Sequence, residues 1–136
     1  DLPPEEAGQY ETLMDRAGLC KILLVAPTTP EDRVEYIVKQ ASGFVYYVSR
    51  EGVTGMQQKL ASTIGAMTAR IRAHTDLPIA IGFGVSSPEQ ARAVASHGEA
   101  VVVGSAIVNR IAEHGKDPEM PRKVAEFVRS LSQAIN

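Results

Sequence analysis

The residues best suited to chemistry in this sequence are glycines that follow two short apolar runs. Residues 79–81 lead towards Gly84, and residues 100–103 lead into Gly104 and Ser105. Glycine leaves backbone N–H groups open to an anion, and a helix that begins after Gly104 would add the positive end of its dipole. Each glycine taken alone is better explained as a tight turn. Because two matching strand ends occur, we predict a shared phosphate site.

A helix with a capped start is predicted directly after the first of these glycines. Ser87 can accept a hydrogen bond from the first turn, Pro88 suits the first helical position, and Gln90 can reach back in the manner of a capping box. The strand end and the helix start therefore frame a small open shelf.

Four apolar runs with strand character alternate with helical patterns along the chain. We place the strands near residues 21–26, 43–49, 79–81 and 100–103, and proline followed by glutamate marks a helix start four times. This alternation predicts an α/β fold with a parallel sheet and right-handed crossovers. Four such units are half of a (β/α)8 barrel of the TIM type, and residues 1–136 read as a single domain.

A half barrel has two unpaired sheet edges and an inner face that nothing covers. We expect this inner face to be lined by Val25, Val48, Ile81 and Val102. The longest loop after any predicted strand is residues 50–55, in which Val53 is the one hydrophobic residue. Loops of this kind on a rigid scaffold tend to close over ligands, so we expect this loop to become ordered over a bound ligand.

Composition argues against several classes of partner. The sequence has 14 Lys and Arg against 16 Asp and Glu, so nothing in its charge favours nucleic acid. No apolar run approaches about 18 residues, so we expect no membrane span and a cytoplasmic location. The single cysteine, Cys20, is expected to be a buried thiol rather than a nucleophile. No histidine falls at the carboxyl end of a predicted strand, and neither a histidine base nor a metal site is predicted.

Four motifs, in order along the chain, together resemble one family closely. They are Asp1-Leu2-Pro3-Pro4-Glu5-Glu6, Tyr46-Tyr47-Val48-Ser49-Arg50-x-Gly52-Val53-Thr54-Gly55, Gly82-Phe83-Gly84-Val85-Ser86-Ser87-Pro88-Glu89-Gln90 and Val103-Gly104-Ser105-Ala106-Ile107-Val108. Over essentially all 136 residues the chain resembles the carboxyl-terminal half of the tryptophan synthase alpha subunit. The resemblance implies a (β/α)8 barrel that cleaves indole-3-glycerol phosphate to indole and glyceraldehyde 3-phosphate without a cofactor of its own. It also implies a partner, the pyridoxal-phosphate beta subunit, which receives the indole.

The resemblance further implies roles for individual residues. The substrate phosphate should rest on backbone amides of Gly55, Gly84, Gly104 and Ser105. The indole and glycerol portions should be bordered by Thr54, Phe83 and Val102. Tyr46 should point into the barrel mouth near the catalytic carboxylate, although from the residues alone a packed strand aromatic is an equally good explanation.

The catalytic acids are the point at which the sequence departs from the family. The family uses two carboxylates for general acid–base catalysis, and both belong to the amino-terminal half, which this sequence lacks. Asp1 and Glu51 are the acids nearest to predicted strand ends. We expect a supporting or subunit-contact role for Asp1 and a solvent position for Glu51. The isolated chain is therefore expected to be inactive.

Two alternatives remain open at this point. The chain could be a non-catalytic phosphate-binding module whose copies self-associate into a full barrel. It could also belong to another phosphate-binding barrel enzyme, although residues 49–55 argue against that. The partner expected for the open sheet is accordingly the amino-terminal half of the barrel or a second copy of the chain.

Overall fold

The computed structural model of the chain describes residues 2–48 and 57–136, with side chains in the second range from residue 62 onward. A single 3₁₀ turn, Pro4–Glu6, precedes the first helix. The helices and strands then follow in the order α1 (Gly8–Arg16), β1 (Leu23–Val25), α2 (Glu31–Gln40), β2 (Val45–Val48), α3 (Gln57–Arg72), β3 (Ile79–Gly82), α4 (Pro88–Ala95), β4 (Ala100–Val101), α5 (Ser105–His114) and α6 (Met120–Ile135).

The four strands form one parallel sheet in chain order, β1-β2-β3-β4. Leu23 pairs with Val45, Val45 with Ile79, and Ala80 with Ala100. A parallel pair needs a crossover connection, and here a helix supplies each one. The alternation of strands and helices predicted from the sequence is confirmed.

The two faces of the sheet differ in what covers them. Val25, Tyr47 and Ile81 stand in register, are fully buried and belong to the core shared with the helices. Their neighbours Leu24 and Tyr46 also stand in register and, because side chains alternate along a strand, point to the opposite, inner face. The prediction that Val25 and Ile81 line the inner face is therefore wrong, because both side chains point to the helix-covered face. A run that is apolar at every position does not show which of its side chains point to which face of the sheet.

Four helices supply the layer that covers the outer face. Buried side chains come from α2, α3, α4 and α6, among them Val34, Ile64, Val94 and Leu131. In contrast, α1 and α5 contribute no buried residue. The core thus lies between the sheet and its middle helices.

Several sequence predictions need adjustment. Cys20 is exposed rather than buried, because it lies in the turn between α1 and β1. The final helix begins at Met120 rather than at Pro118, because the Asp117 carboxylate accepts the Glu119 N–H and holds a turn there. On this helix the apolar residues Val128 and Ile135 are about 40% exposed, while Leu131 and Ala134 are buried.

Candidate functional site: the carboxyl ends of β3 and β4

Gly84 and Gly104 follow the carboxyl ends of two neighbouring strands, β3 and β4. Both registered pairs of β3 and β4 are twenty residues apart, and the Val102 N–H donates to the Ile81 carbonyl at 2.8 Å. The same offset of twenty residues separates Gly84 from Gly104, so both glycines come just after the carboxyl ends of these paired strands. Gly84 has a φ of +61°, which side-chain-bearing residues rarely adopt, so the turn after β3 needs glycine here. Both glycines are exposed.

The amino end of α5 begins at this shelf. Gly104 is its N-cap residue and accepts hydrogen bonds from the Ile107 and Val108 N–H groups at 3.0 and 3.1 Å. No side chain caps this end of the helix. The first amides of an α-helix have no intrahelical partner, so those of Ser105 and Ala106 face outward from the positive end of the dipole. An addition of Cβ at Gly104 would meet no atom within 4 Å among the described residues.

The start of α4 is fixed by side chains, unlike that of α5. The Gln90 N–H donates to Ser87 Oγ at 3.3 Å, and Pro88 occupies the first turn, as predicted. The Gln90 side-chain carbonyl reaches back one residue further than predicted and accepts the Ser86 N–H at 2.8 Å. With these amides occupied, the open amides of the shelf are those near Gly84 and at the start of α5.

Tyr46 lies on the inner face and crosses the neighbouring strand at Gly82. A Cβ on Gly82 would lie 2.6 Å from Tyr46 Oη and 2.8 Å from Cε2. The absence of a side chain at Gly82 therefore leaves room for the ring of Tyr46. Tyr46 is half-buried, and its role near a catalytic group stays a prediction.

The other residues predicted to line the pocket differ in how far they are buried. Val102 is half-buried and lies at the shelf between β4 and α5. Phe83 is fully buried, with its ring centroid 5.2 Å from that of Tyr47 in an edge contact. Thr54 and Gly55, together with Arg50, Glu51 and the loop predicted to close, lie outside the described residues, as does Asp1.

The carboxylates with shifted pKa values in the described part of the chain are all shifted downward. A hydrogen bond from Arg33 lowers the pKa of Glu5, and hydrogen bonds from Arg70 and then His74 lower that of Glu31. At the start of α4, its own backbone amide and then Ser87 lower the pKa of Glu89. A general acid that acts near neutral pH needs a raised carboxyl pKa. These three side chains are suited to ion pairing and capping rather than to proton transfer.

His74 and His97 serve pairing and packing rather than the shelf. His74 Nε2 lies 2.8 Å from Glu31 Oε1, and the His97 ring lies against Gly65 of α3. Within residues 2–48 and 57–136, no group of three or more His, Cys, Asp or Glu side chains is arranged to hold a metal ion. None of the helices in this part is long and apolar enough to cross a membrane.

Fold and site together define the class of protein. Four parallel strands that alternate with helices are a portion of a (β/α)8 barrel, and in that fold ligand sites lie at the carboxyl ends of the strands, where Gly84 and Gly104 are found here. The family model for the tryptophan synthase alpha chain matches residues 1–136, and the chain belongs to that family. The predicted family is thereby confirmed, and the alternative of another phosphate-binding barrel enzyme is removed.

Individual relatives agree with this assignment. The tryptophan synthase alpha chain of Opitutus terrae is 49% identical over 119 residues, which cover 88% of this chain and 45% of that protein. The alpha chain of Thioalkalivibrio sulfidiphilus is 46% identical over 137 residues, covering 100% and 52%. The chain thus spans about half the length of the curated relatives it matches.

Solved structures confirm the fold class. A structure of Mycobacterium tuberculosis tryptophan synthase superposes with a TM-score of 0.83 at 33% identity, over 99% of this chain and 49% of that one. The tryptophan synthase alpha chain from Legionella pneumophila gives a TM-score of 0.80 at 35% identity, over the same shares. The four β/α units are therefore half of a (β/α)8 barrel, as predicted.

Proposed function

We propose that the chain is the phosphate-binding half of a tryptophan synthase alpha-type lyase, which cleaves indole-3-glycerol phosphate to indole and glyceraldehyde 3-phosphate. The observation that carries the proposal is the position of Gly84 and Gly104 just past the carboxyl ends of the paired strands β3 and β4, with Gly104 at the uncapped start of α5. An anion at this point meets several amides and the positive end of a helix dipole, with no side chain in the way. The site needs no strong overall positive charge, in keeping with a formal net charge of −2.

Within this proposal the pocket is assembled around the shelf. The amides of Gly84, Gly104 and Ser105 hold the substrate phosphate, and those of Gly55 complete the site from the loop. Val102 and Tyr46, both half-buried near the strand ends, offer apolar surface to the indole and glycerol portions, and Thr54 joins them from the loop. Phe83 has no exposed surface and supports this wall from behind, through its contact with Tyr47.

The proton transfers are assigned to the other half of the barrel. Cleavage of the carbon–carbon bond requires a proton delivered to the indole ring and a proton removed from the glycerol hydroxyl. The carboxylates Glu5 and Glu31 are engaged with arginines, which leaves neither free to exchange protons near neutral pH. We therefore place both catalytic carboxylates in an amino-terminal half barrel. We also propose a cytoplasmic location and, as partner, the pyridoxal-phosphate beta subunit that accepts the indole.

The phosphate shelf is tested by titrating glycerol 3-phosphate against the chain and its Gly104→Val variant. The new side chain meets open space in the fold, so it should block the shelf without overpacking the core. Gly8→Val, at another glycine with open space around it, is the matched control and should bind as the parent does. Equal affinity of the Gly104→Val variant and the parent would remove the shelf from the proposal.

The division of labour is tested by indole release from indole-3-glycerol phosphate. The chain alone should be inactive, and addition of an amino-terminal half barrel from the family should restore release. General acid–base groups contribute roughly 10²–10⁴-fold each, so loss of two takes turnover below ordinary detection. Phosphate binding without turnover, even with the complementing half present, would instead favour a non-catalytic phosphate-binding module.

A further inference from the structure

A hydrogen-bonded cluster joins the end of α3 to the start of α2 and to the loop before it. Arg70 Nε donates to Glu31 Oε2 at 2.6 Å, and Arg70 Nη2 donates to the Thr29 carbonyl at 3.1 Å. His74 Nε2 lies 2.8 Å from Oε1, the other oxygen of the same carboxylate. Glu31 is therefore shared between an arginine and a histidine, and the arginine also holds the backbone of the loop.

The backbone held in this way is the turn that follows β1. The Ala26 N–H donates to Thr29 Oγ1 and the Thr29 N–H donates to the Ala26 carbonyl, both at 3.0 Å. Residues 26–29 thus form a closed turn, to which Arg70 adds a further hydrogen bond. Because the sheet is parallel, this turn lies at the same end of it as Gly84, the end at which ligand sites of this fold are found.

The carboxylate at the centre of the cluster stays charged over the range in which histidine side chains titrate. Hydrogen bonds from Arg70, and then from His74, hold the pKa of Glu31 below its ordinary value. An arginine keeps its charge throughout, whereas a histidine ordinarily changes charge between about pH 5 and 8. Of these three side chains, the histidine is the one whose charge can respond to a change around neutral pH.

Two carboxylates of α2 lie near His74. Glu31 is in contact with it. The hydrogen bond from Lys39 lowers the pKa of Glu35, one turn further along α2, and the charge of His74 lowers it further. The cations Lys39 and Arg70 each hydrogen-bond one of these two carboxylates. A proton gained by His74 therefore adds a positive charge beside two negative ones.

Protonation changes what the histidine can offer to Glu31. A neutral imidazole carries its proton on one nitrogen only, so one of its two tautomers presents a bare lone pair to the carboxylate. The imidazolium donates from both nitrogens, and hydrogen bonds between ionised groups are shorter and stronger than neutral ones. With His74 charged, Glu31 is held at both oxygens and stays in place to fix Arg70 on the Thr29 carbonyl.

From this geometry we propose that His74 makes the turn after β1 sensitive to pH. The protonated side chain tightens the cluster and holds residues 26–29, and the neutral side chain loosens it. A change in pH sensed at the end of α3 thereby reaches the end of the sheet at which ligands bind in this fold. The proposal concerns the turn itself and does not depend on the proposed lyase activity.

The test is amide hydrogen exchange at Ala26 and Thr29, followed by NMR between pH 5 and 8 and corrected for the intrinsic exchange rates. Both amides donate within the turn, so their protection measures how firmly the turn is held. The protection should fall about two- to fivefold as the pH rises, which is the range expected for an ion pair near the surface. The fall should share its midpoint with the ring signal of His74, one of the three histidines in the chain.

Three variants separate this cluster from other effects of pH. His74→Gln should remove the pH dependence, because glutamine can still donate to Glu31 but cannot gain a charge. Glu31→Gln should remove it as well, although the His74 ring still titrates. His114→Gln is the matched control and should behave as the parent, because it removes a histidine at the end of α5 and leaves the cluster complete. Protection that stays constant from pH 5 to 8 in the parent would overturn the proposal, and so would a fall that persists in His74→Gln.

Discussion

The contact between Gly82 and Tyr46 allows a sharp test of how the inner face is organised. Gly82→Ala places a Cβ 2.6 Å from Tyr46 Oη and 2.8 Å from Cε2. Ordinary contacts begin near 3.4 Å, so the hydroxyl has to retreat by about 0.8 Å. Tyr46 is half-buried on the open face, and its ring can swing away. We therefore expect a cost at the low end of the overpacking range, about 1 kcal/mol.

The same substitution should be harmless when the tyrosine is absent. In a Tyr46→Val background the clash disappears, and alanine in a strand is favoured over glycine by about 0.5 kcal/mol. The coupling between the two sites should thus be about 1.5 kcal/mol. Thermal and urea unfolding of the four variants measures it, and in a chain of this size 1 kcal/mol corresponds to about 3–5 °C in Tm.

A matched comparison separates this contact from the general effect of removing a glycine. Gly8→Ala, at a glycine with no atom within 4 Å of its added Cβ, should show no coupling to Tyr46→Val. If Gly82→Ala and Tyr46→Val are additive within the scatter of independent sites, about 0.3–0.5 kcal/mol, then Tyr46 does not lie over Gly82 and the account of the inner face is wrong.

Two further predictions concern the framework of the shelf. Ser87→Ala should destabilise the chain by about 1 kcal/mol in urea unfolding, because the Gln90 N–H loses its cap. A cost no larger than that of Ser96→Ala, at the exposed serine that follows the carboxyl end of α4, would contradict this. The Glu99 carboxylate accepts the Ile79 N–H at 2.7 Å, and this hydrogen bond lowers the pKa of Glu99. Partial burial opposes the shift and a hydrogen bond from Arg72 adds to it, so the pKa lies below the ordinary 4.5. The ionised Glu99 carboxylate therefore stabilises the folded chain above about pH 4.5, and this stabilisation is lost as the pH falls through the folded pKa. The difference in free energy of unfolding between the parent and Glu99→Gln should narrow below about pH 4.5, and a difference that stays constant would refute this prediction.

The sequence predicted the order and type of the elements well, because local signals determine them. The apolar run 79–81, the glycines after it and the Ser87 cap are all short-range features, and each has its place in the structure. The direction in which each side chain of such a run points could not be predicted in the same way. Val25 and Ile81 belong to the helix-facing core only because of what packs on that face, which a continuously apolar strand does not encode.

Contacts between distant residues also explain the other differences. That Phe83 packs on Tyr47 depends on the register of β2 and β3, which the sequence does not display. No local pattern shows that Gly82 receives a tyrosine from the neighbouring strand. An aromatic two residues before the carboxyl end of one strand and a glycine at the end of the next is the signal that could have indicated it.

The chain-order arrangement of the sheet has a consequence for how the protein folds. Paired strands are separated by 22, 34 and 20 residues along the chain, so every strand docks on the one made just before it. The entropy cost of closing a loop grows only with the logarithm of its length, so the cost of docking is similar for each of the three strand pairs. Folding can then advance by addition of one β/α unit at a time, with β2 and β3, which share the longest ladder, as its natural starting pair. Amide exchange in the native chain should show the reverse order, with the two-residue β4 opening long before the centre of the sheet.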